Sequence, residues 1–485
     1  MGCRSAGQSG LVGAALVSRL SPARRAALNA LLEAERSGSF VRDVLERADA
    51  RPSDARDAAF ALRLALGVTA TRGCVDELLD RFLAKPNRVK LPVRMALRVA
   101  AFELVYLDAM PEVAVSQGVE LVRARAASAA GMANAVLRRV AEARVGYLAA
   151  EDALAEARAA FSRARRAGLP LWLVEQIVAA RGEAAAEQLT AAELEPAPVS
   201  FHLNPRNAPA DTSAGAGEEL VPLPGCFTPG NASAFIATRA LARGEAVASD
   251  TTAQLIATTC VAAGSCLEIG AGRGTKTYVM AAQSERAGMA RTHVAAELSP
   301  RKVELNRKRL EESGLARGVS FATGDCRHLD QVLTACDAAA GERVRYDTVL
   351  LDAPCSGTGT MRRHPEIPWR LEPADVAPGG ALPALQLALL TEASRRVAVG
   401  GQLVYATCSV LAEENERVVD AFLASEEGRD FELAPLPEAP IFQEALFHET
   451  GAYLDEAENE RGMLQTIPAL GRPDGHFAAR LVRRS

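Results

Sequence analysis

The chain has 485 residues, 49% hydrophobic and 24% charged, with a formal net charge of -5. That length calls for two to four domains rather than a single core. The apolar-to-charged balance is that of an ordinary globular protein, and the mild acidity argues against nucleic-acid binding over the whole surface. The charge is unevenly spread: residues 1–150 hold 22 basic against 15 acidic residues, and the remainder 33 against 45. A basic module joined to an acidic one suits an enzyme that holds a polyanion at one end.

In chain order, residues 1–21 read as a flexible extension. Its apolar run Leu11–Ser18 is short and is followed by Arg19, Arg24 and Arg25, and no stretch of the chain is long enough to span a bilayer. Residues 22–150 read as a helical bundle. Pro22 opens the first helix, with Ala26, Leu28, Leu31 and Leu32 on one side. Periodic runs follow at Ala55–Leu66, Val75–Leu83, Val93–Leu107, Ala114–Ala124 and Met132–Ala141, punctuated by Gly67, Pro86, Pro92, Pro111 and Gly131. Residues 151–200 continue as a helical connector, with runs at Leu169–Ala180 and Ala184–Leu189. Residues 201–250, rich in proline, form a small α/β subdomain. From 251 to 485, short apolar runs at Leu267–Ile269, Val294–Glu297, Val349–Leu351 and Leu403–Ala406 alternate with helices such as Pro300–Glu312 and Leu385–Val397. This alternation predicts a mostly parallel sheet covered on both faces, with functional residues at the C-terminal ends of its strands.

The nine cysteines lack pair spacing, which fits a reducing compartment, no disulfide framework and no metal site. Two of them nevertheless stand at strand ends. One lies in Asp352-Ala353-Pro354-Cys355-Ser356-Gly357-Thr358-Gly359, the other in Tyr405-Ala406-Thr407-Cys408-Ser409. A lone cysteine near a strand is more often a small buried hydrophobe, but two at one functional edge suggest paired thiols. Carbon 5 of cytosine is too electron-poor to accept a methyl group unaided, and addition of a thiolate to carbon 6 converts the ring into an enamine-like nucleophile. Asp352 is the candidate for holding the N3/N4 edge of the base, with Lys276 stabilising charge in the same pocket. Arg362, Arg363 and His364, with Trp369 close behind, form a basic and aromatic loop expected either to meet phosphate near the substrate entrance or to be solvated surface.

On the nucleotide side, strand, turn and helix start follow one another through Gly270-Ala271-Gly272-Arg273-Gly274-Thr275-Lys276. Such a turn lets backbone approach a ligand closely and aims free amides at it, though it also occurs in dinucleotide enzymes and as a plain tight turn. Neither the dinucleotide pattern nor the phosphate loop is matched. Glu297, ending the next strand, suits two ribose hydroxyls, and Asp325 an adenine edge; acidic ends on successive strands favour a class I methyltransferase.

These segments resemble the RsmB/NOP/Sun-type RNA cytosine-5 methyltransferase family. The loop Asp352–Gly359, the stretch Arg363–Trp369 and Tyr405–Asn415 carry the likeness, and Asp474-Gly475-His476-Phe477 is similar to the family's closing strand. The segments Val93–Leu107 and Gly131–Arg139 resemble a NusB-type RNA-binding domain. The resemblance implies a multidomain fold: an all-α NusB-like bundle, a small RNA-recognition-like α/β subdomain and a class I Rossmann-like methyltransferase domain. It implies S-adenosyl-L-methionine as cofactor, held by residues 270–276, Glu297, Asp325 and Asp352. The cysteine matching Cys408 is then the nucleophile, and the one matching Cys355 assists product release. The implied partner is 16S ribosomal RNA before complete subunit assembly, for a cytoplasmic monomer with no DNA or membrane partner. A transfer-RNA enzyme, and a non-catalytic RNA-binding protein with a degenerate core, are the alternatives. DNA enzymes use a Pro-Cys nucleophile, which makes Cys355 the rival of Cys408. The family's first motif usually reads Asp-x-Cys-Ala-Ala-Pro-Gly-Gly-Lys-Thr; here it is Glu268-Ile269-Gly270-Ala271-Gly272-Arg273-Gly274-Thr275-Lys276-Thr277. The three glycines are expected to restore the turn by another route.

Overall fold

The computed structural model describes residues 20–484 apart from 48, 49, 51, 208–216 and 218; most of the expected N-terminal extension lies outside them. The chain divides into two compact units, residues 1–153 and 154–485. Among the described residues no single helix is long and apolar enough to cross a membrane.

The first unit is all helical. It comprises α1 (Pro22–Ser37), α2 (Val41–Glu46), α3 (Ala55–Ala70), α4 (Arg72–Asp80), α5 (Leu91–Tyr106), α6 (Pro111–Arg123) and α7 (Ala130–Leu148). Proline opens α1, α5 and α6 within their first two positions, where its missing N–H costs nothing. Helix α5 is the central one, buried nearly all round from Val93 to Val105, as its mostly apolar sequence requires, with Arg94 and Arg98 pairing to Asp80 and Asp76 of α4. Its buried Glu103 is held by Arg24 of α1, whose Nε lies 2.9 Å from Oε1. Gly67 was expected to punctuate the helices but lies inside α3. A Cβ there would sit 1.9 Å from Cζ of Phe102, so the glycine is a seat for an aromatic ring on α5 rather than a stop signal.

The second unit begins with α8 (Arg158–Ala167) and α9 (Leu171–Ala192). Two separate apolar runs predicted two helices here. They are two helices that meet at a kink at Gly182, whose backbone (φ 81°, ψ 170°) is non-helical. Strands β1 (Phe201–Leu203), β2 (Cys226–Phe227) and β3 (Ala246–Ala248) form a small antiparallel sheet in the order β2-β1-β3, packed with α10 (Ala232–Ala237) through Phe201 and Phe235.

The remainder alternates. It runs through α11 (Thr251–Thr259), β4 (Gly264–Ile269), α12 (Thr275–Ala287), β5 (Arg291–Glu297), α13 (Pro300–Ser313), β6 (Val319–Thr323), α14 (Leu329–Val332), α15 (Thr334–Ala340) and β7 (Tyr346–Asp352). It continues through α16 (Ala381–Ser394), β8 (Val397–Thr407), α17 (Glu416–Leu423), β9 (Phe431–Ala434), α18 (His448–Ala457), β10 (Met463–Gln465) and β11 (Phe477–Arg483). The sheet order is β10-β11-β8-β7-β4-β5-β6, with β9 also pairing β11. Strands β4 to β8 are parallel to their neighbours, and β11 inserts antiparallel to β8. Helix α16 starts four residues before the predicted Leu385, and Val397 belongs to β8.

Alternation along the strands divides the core in two. Leu350, Val404 and Ala406 pack on one face of the sheet, and Val349, Leu351, Leu403 and Tyr405 on the other. Each such side chain removed from water contributes about 1.5–3 kcal/mol. Their combined effect fixes the register that brings the ends of β4, β5, β7 and β8 to one edge.

Candidate active site

The first motif turns tightly between β4 and α12. Gly270, Gly272 and Gly274 all have φ in the left-handed region (82°, 57° and 82°). A Cβ at Gly270 would lie 2.4 Å from the carbonyl oxygen of Asp352, and one at Gly274 1.9 Å from Oδ1 of Asn306. Glycine at these two places lets the β4 loop press against the β7 loop and α13. The sequence-level expectation that the glycines would rebuild the turn is met in this way. Arg273 is exposed, and its carbonyl accepts from Arg309 Nη1 at 2.7 Å.

Glu297 ends β5 and accepts from the Gly272 amide at 2.9 Å and from the Ser299 amide at 3.0 Å. A carboxylate offers about four lone-pair sites, so two remain for a diol. The side of the turn above Gly272 is open, with nothing nearer to an added Cβ than its own loop at 3.9 Å. Leu298, beside Glu297, is 67% exposed and offers the apolar surface that a nucleobase face would cover. Sequence reasoning passed over it, because exposure is not visible in the residues themselves. These residues fit S-adenosyl-L-methionine. Asp325 follows β6 but is tied to Arg327, whose side-chain hydrogen bonds hold its carboxyl down at about 2.

Asp352, the last residue of β7, accepts from Lys276 Nζ at 2.7 Å. Burial works against the Lys276 charge, but the Asp352 carboxylate outweighs it and the ammonium is held above its usual range. Strands β7 and β8 are adjacent and parallel, with Asp352 opposite Ala406. The loops that follow therefore run side by side and bring Cys355 Sγ to 3.2 Å from Cys408 Sγ. The two thiols differ. The hydrogen bond from Cys355 lowers Cys408, assisted by the Lys276 charge against burial and the Asp352 and Glu414 charges. Cys355 is pushed well up by the same hydrogen bond, by burial and by the neighbouring negative charges. The Cys408 amide also donates to Cys355 Sγ at 3.3 Å, and between the two sulfurs either can be the donor; a close thiol pair of this kind is what nucleophilic chemistry on a base would use.

The basic loop after Gly359 is not a phosphate site in the way expected. Arg362 is buried against Asp474, with Nε 2.7 Å from Oδ1, and also donates to the carbonyls of Ala469 and Pro473. Arg363 pairs with the other oxygen of Asp474 and donates to Pro198 O at 2.7 Å. Both guanidiniums are spent on joining distant segments, so the expectation of phosphate contact or of a solvated loop is corrected for both. A further residue that sequence reasoning gave no role is Glu414, wholly buried behind the cysteines.

Residues 255–482 match the family model of the 16S rRNA methyltransferase RsmB/F, and residues 21–142 that of the NusB family. The chain is 32% identical over 475 residues to the ribosomal RNA small subunit methyltransferase B of Thermus thermophilus, covering 96% of this chain and 98% of that one. It is 26% identical over 481 residues to the probable ribosomal RNA small subunit methyltransferase B of Bacillus subtilis, covering 95% and 98%. In fold it is similar to the solved structure of PH0851, with a TM-score of 0.71 at 19% identity over 95% of this chain and 98% of that one.

Proposed function

Because the chain belongs to the 16S rRNA methyltransferase RsmB/F family, we propose that it methylates carbon 5 of one cytosine in 16S rRNA, before the small subunit is fully assembled, through Cys408 as nucleophile. It is an S-adenosylmethionine-dependent RNA cytosine-5 methyltransferase. The observation that carries the mechanistic reading is the thiol pair at 3.2 Å, with Cys408 lowered and Cys355 raised.

S-adenosylmethionine supplies an electrophilic methyl group on a sulfonium. The Cys408 thiolate forms a bond to carbon 6 of the cytosine, and the electrons of the 5,6 double bond move into the ring, making carbon 5 nucleophilic. Asp352 holds the N3/N4 edge, and Lys276 lies where it offsets the added negative charge. After methylation a base removes the remaining proton from carbon 5, the double bond reforms and the Cys408 thiolate leaves. Cys355 assists that departure by donating its S–H to the leaving sulfur, which lies 3.2 Å away in the free protein. The helical NusB-like unit holds the RNA, and one copy of the chain suffices for these steps.

A denaturing gel with 16S rRNA and cofactor tests the roles. Cys408→Ala abolishes the protein–RNA adduct, and Cys355→Ala accumulates it because the leaving thiolate has lost its donor. The opposite pattern would reverse the two assignments. Mapping 5-methylcytosine in 16S rRNA from cells with and without the gene tests the substrate; identical maps would refute it.

A further inference from the structure

Each catalytic-loop cysteine is followed by a serine, and the two serines converge on one carboxylate. Ser356 donates to Glu414 through its amide at 2.8 Å to Oε1 and through its hydroxyl to Oε2. Ser409 Oγ donates to the same Oε2 at 2.6 Å. Gln386 Nε2 donates to Oε1 at 2.9 Å and to the carbonyl of Pro354, on the other side of Cys355, at 2.9 Å. Thr358 closes the cluster, its hydroxyl 3.1 Å from Ser409 Oγ and accepting from the Val410 amide at 3.1 Å. Glu414, Gln386, Thr358 and Ser409 have no exposed surface.

All four donors to Glu414 are neutral. Burying a carboxylate costs several kcal/mol, which hydrogen bonds from neutral groups offset without leaving a large net gain. An apolar residue would pack such a site at least as stably, so a different benefit has to account for the acid. The benefit visible in the geometry is rigidity: a buried acceptor shared by four donors holds the groups it touches. Here it touches the residue after each thiol and a third partner that spans to the residue before Cys355.

We propose that Glu414 is a positioning residue. Through Ser356 and Ser409 it sets the separation of the two catalytic-loop cysteines, so that their sulfurs stay within hydrogen-bonding distance at 3.2 Å. This rests on the reading of Cys408 as nucleophile, and it adds the element that fixes the distance between the two sulfurs. The Pro-Cys-Ser and Thr-Cys-Ser loops each carry serine for one shared reason, the common acceptor between them.

The test uses Glu414→Gln, which keeps the shape but presents donors to donors, and the double variant Ser356→Ala/Ser409→Ala, which leaves the carboxylate in place. The free enzyme is alkylated with iodoacetamide at pH 7, and modification at each cysteine is quantified by peptide mass spectrometry. In both variants the ratio of Cys408 to Cys355 modification falls at least tenfold. The kcat on 16S rRNA also falls at least tenfold, while KM for S-adenosylmethionine stays within twofold. If both variants keep the wild-type ratio, the inference is overturned, whether activity persists or is lost together with stability. The serine variant retains the acid and the backbone amide contact, so it gives a folded readout if Glu414→Gln does not. The reading beneath is judged separately, on wild-type enzyme: an adduct at Cys355 instead of Cys408 would refute that reading whatever the variants show.

Discussion

Replacing Cys355 with alanine removes the donor to Cys408, and the size of the effect follows from the geometry. The two sulfurs lie 3.2 Å apart, the proposed mechanism makes Cys355 the donor, and this hydrogen bond is the foremost cause of the lowered Cys408 pKa. Hydrogen bonds to charged groups contribute about 1.5–3 kcal/mol. A water entering the vacated space recovers part of that energy, and the rest is lost from the thiolate form. The sign is upward, because a thiolate that loses its donor is harder to form. Cys408 then needs a higher pH to ionise, and the acid limb of kcat/KM moves to higher pH by the same amount. The assay is the pH dependence of Cys408 alkylation by iodoacetamide, read by peptide mass spectrometry. Cys355→Ser, which keeps a hydroxyl donor, retains most of the wild-type midpoint. An unchanged or lowered midpoint in Cys355→Ala would refute the donor–acceptor assignment of the pair.

Asp352→Asn lowers turnover about 100-fold, as expected when a group that holds the reacting edge is lost. Cys408 nevertheless alkylates faster in this variant, since the Asp352 charge opposes thiolate formation; wild-type turnover at saturating RNA and cofactor would exclude the role. Gly274→Ala forces a side chain into left-handed backbone and against Asn306. It destabilises the fold by about 1–3 kcal/mol in urea titration and raises KM for S-adenosylmethionine, and unchanged values for both would show that the turn relaxes freely. Arg362→Ala leaves Asp474 buried with Arg363 as its remaining charged partner and costs about 1–3 kcal/mol of stability. A loss under 1 kcal/mol would mean the pair is not structural.

What could be read from the residues was what is local. The apolar runs containing Leu267–Ile269, Val349–Leu351 and Leu403–Ala406 lie in β4, β7 and β8, and each chemical motif follows its strand. Helices α3, α5 and α6 start within three residues of the predicted runs. What escaped depends on partners far along the chain. Gly67 looks like a break until Phe102 is seen to occupy its space. Arg362 and Arg363 look like phosphate ligands until Asp474, more than a hundred residues later, takes both. Glu414 has no local pattern that marks it; its role emerges only where Ser356, Ser409 and Gln386 meet. Periodicity reports which way a side chain faces, and says nothing about which distant group waits there.

The stitching of the catalytic loop to late-made chain has a temporal consequence. The Gly475 amide donates to the carbonyl of Gly359 at 2.8 Å, Asp474 binds both arginines of the loop, and β11 pairs along β8 up to Thr407, next to Cys408. During synthesis, the segment bearing both thiols emerges well before these residues do. Until they arrive, the loops that carry the two cysteines lack these contacts, so that segment reaches its final packing only once the last strand is in place.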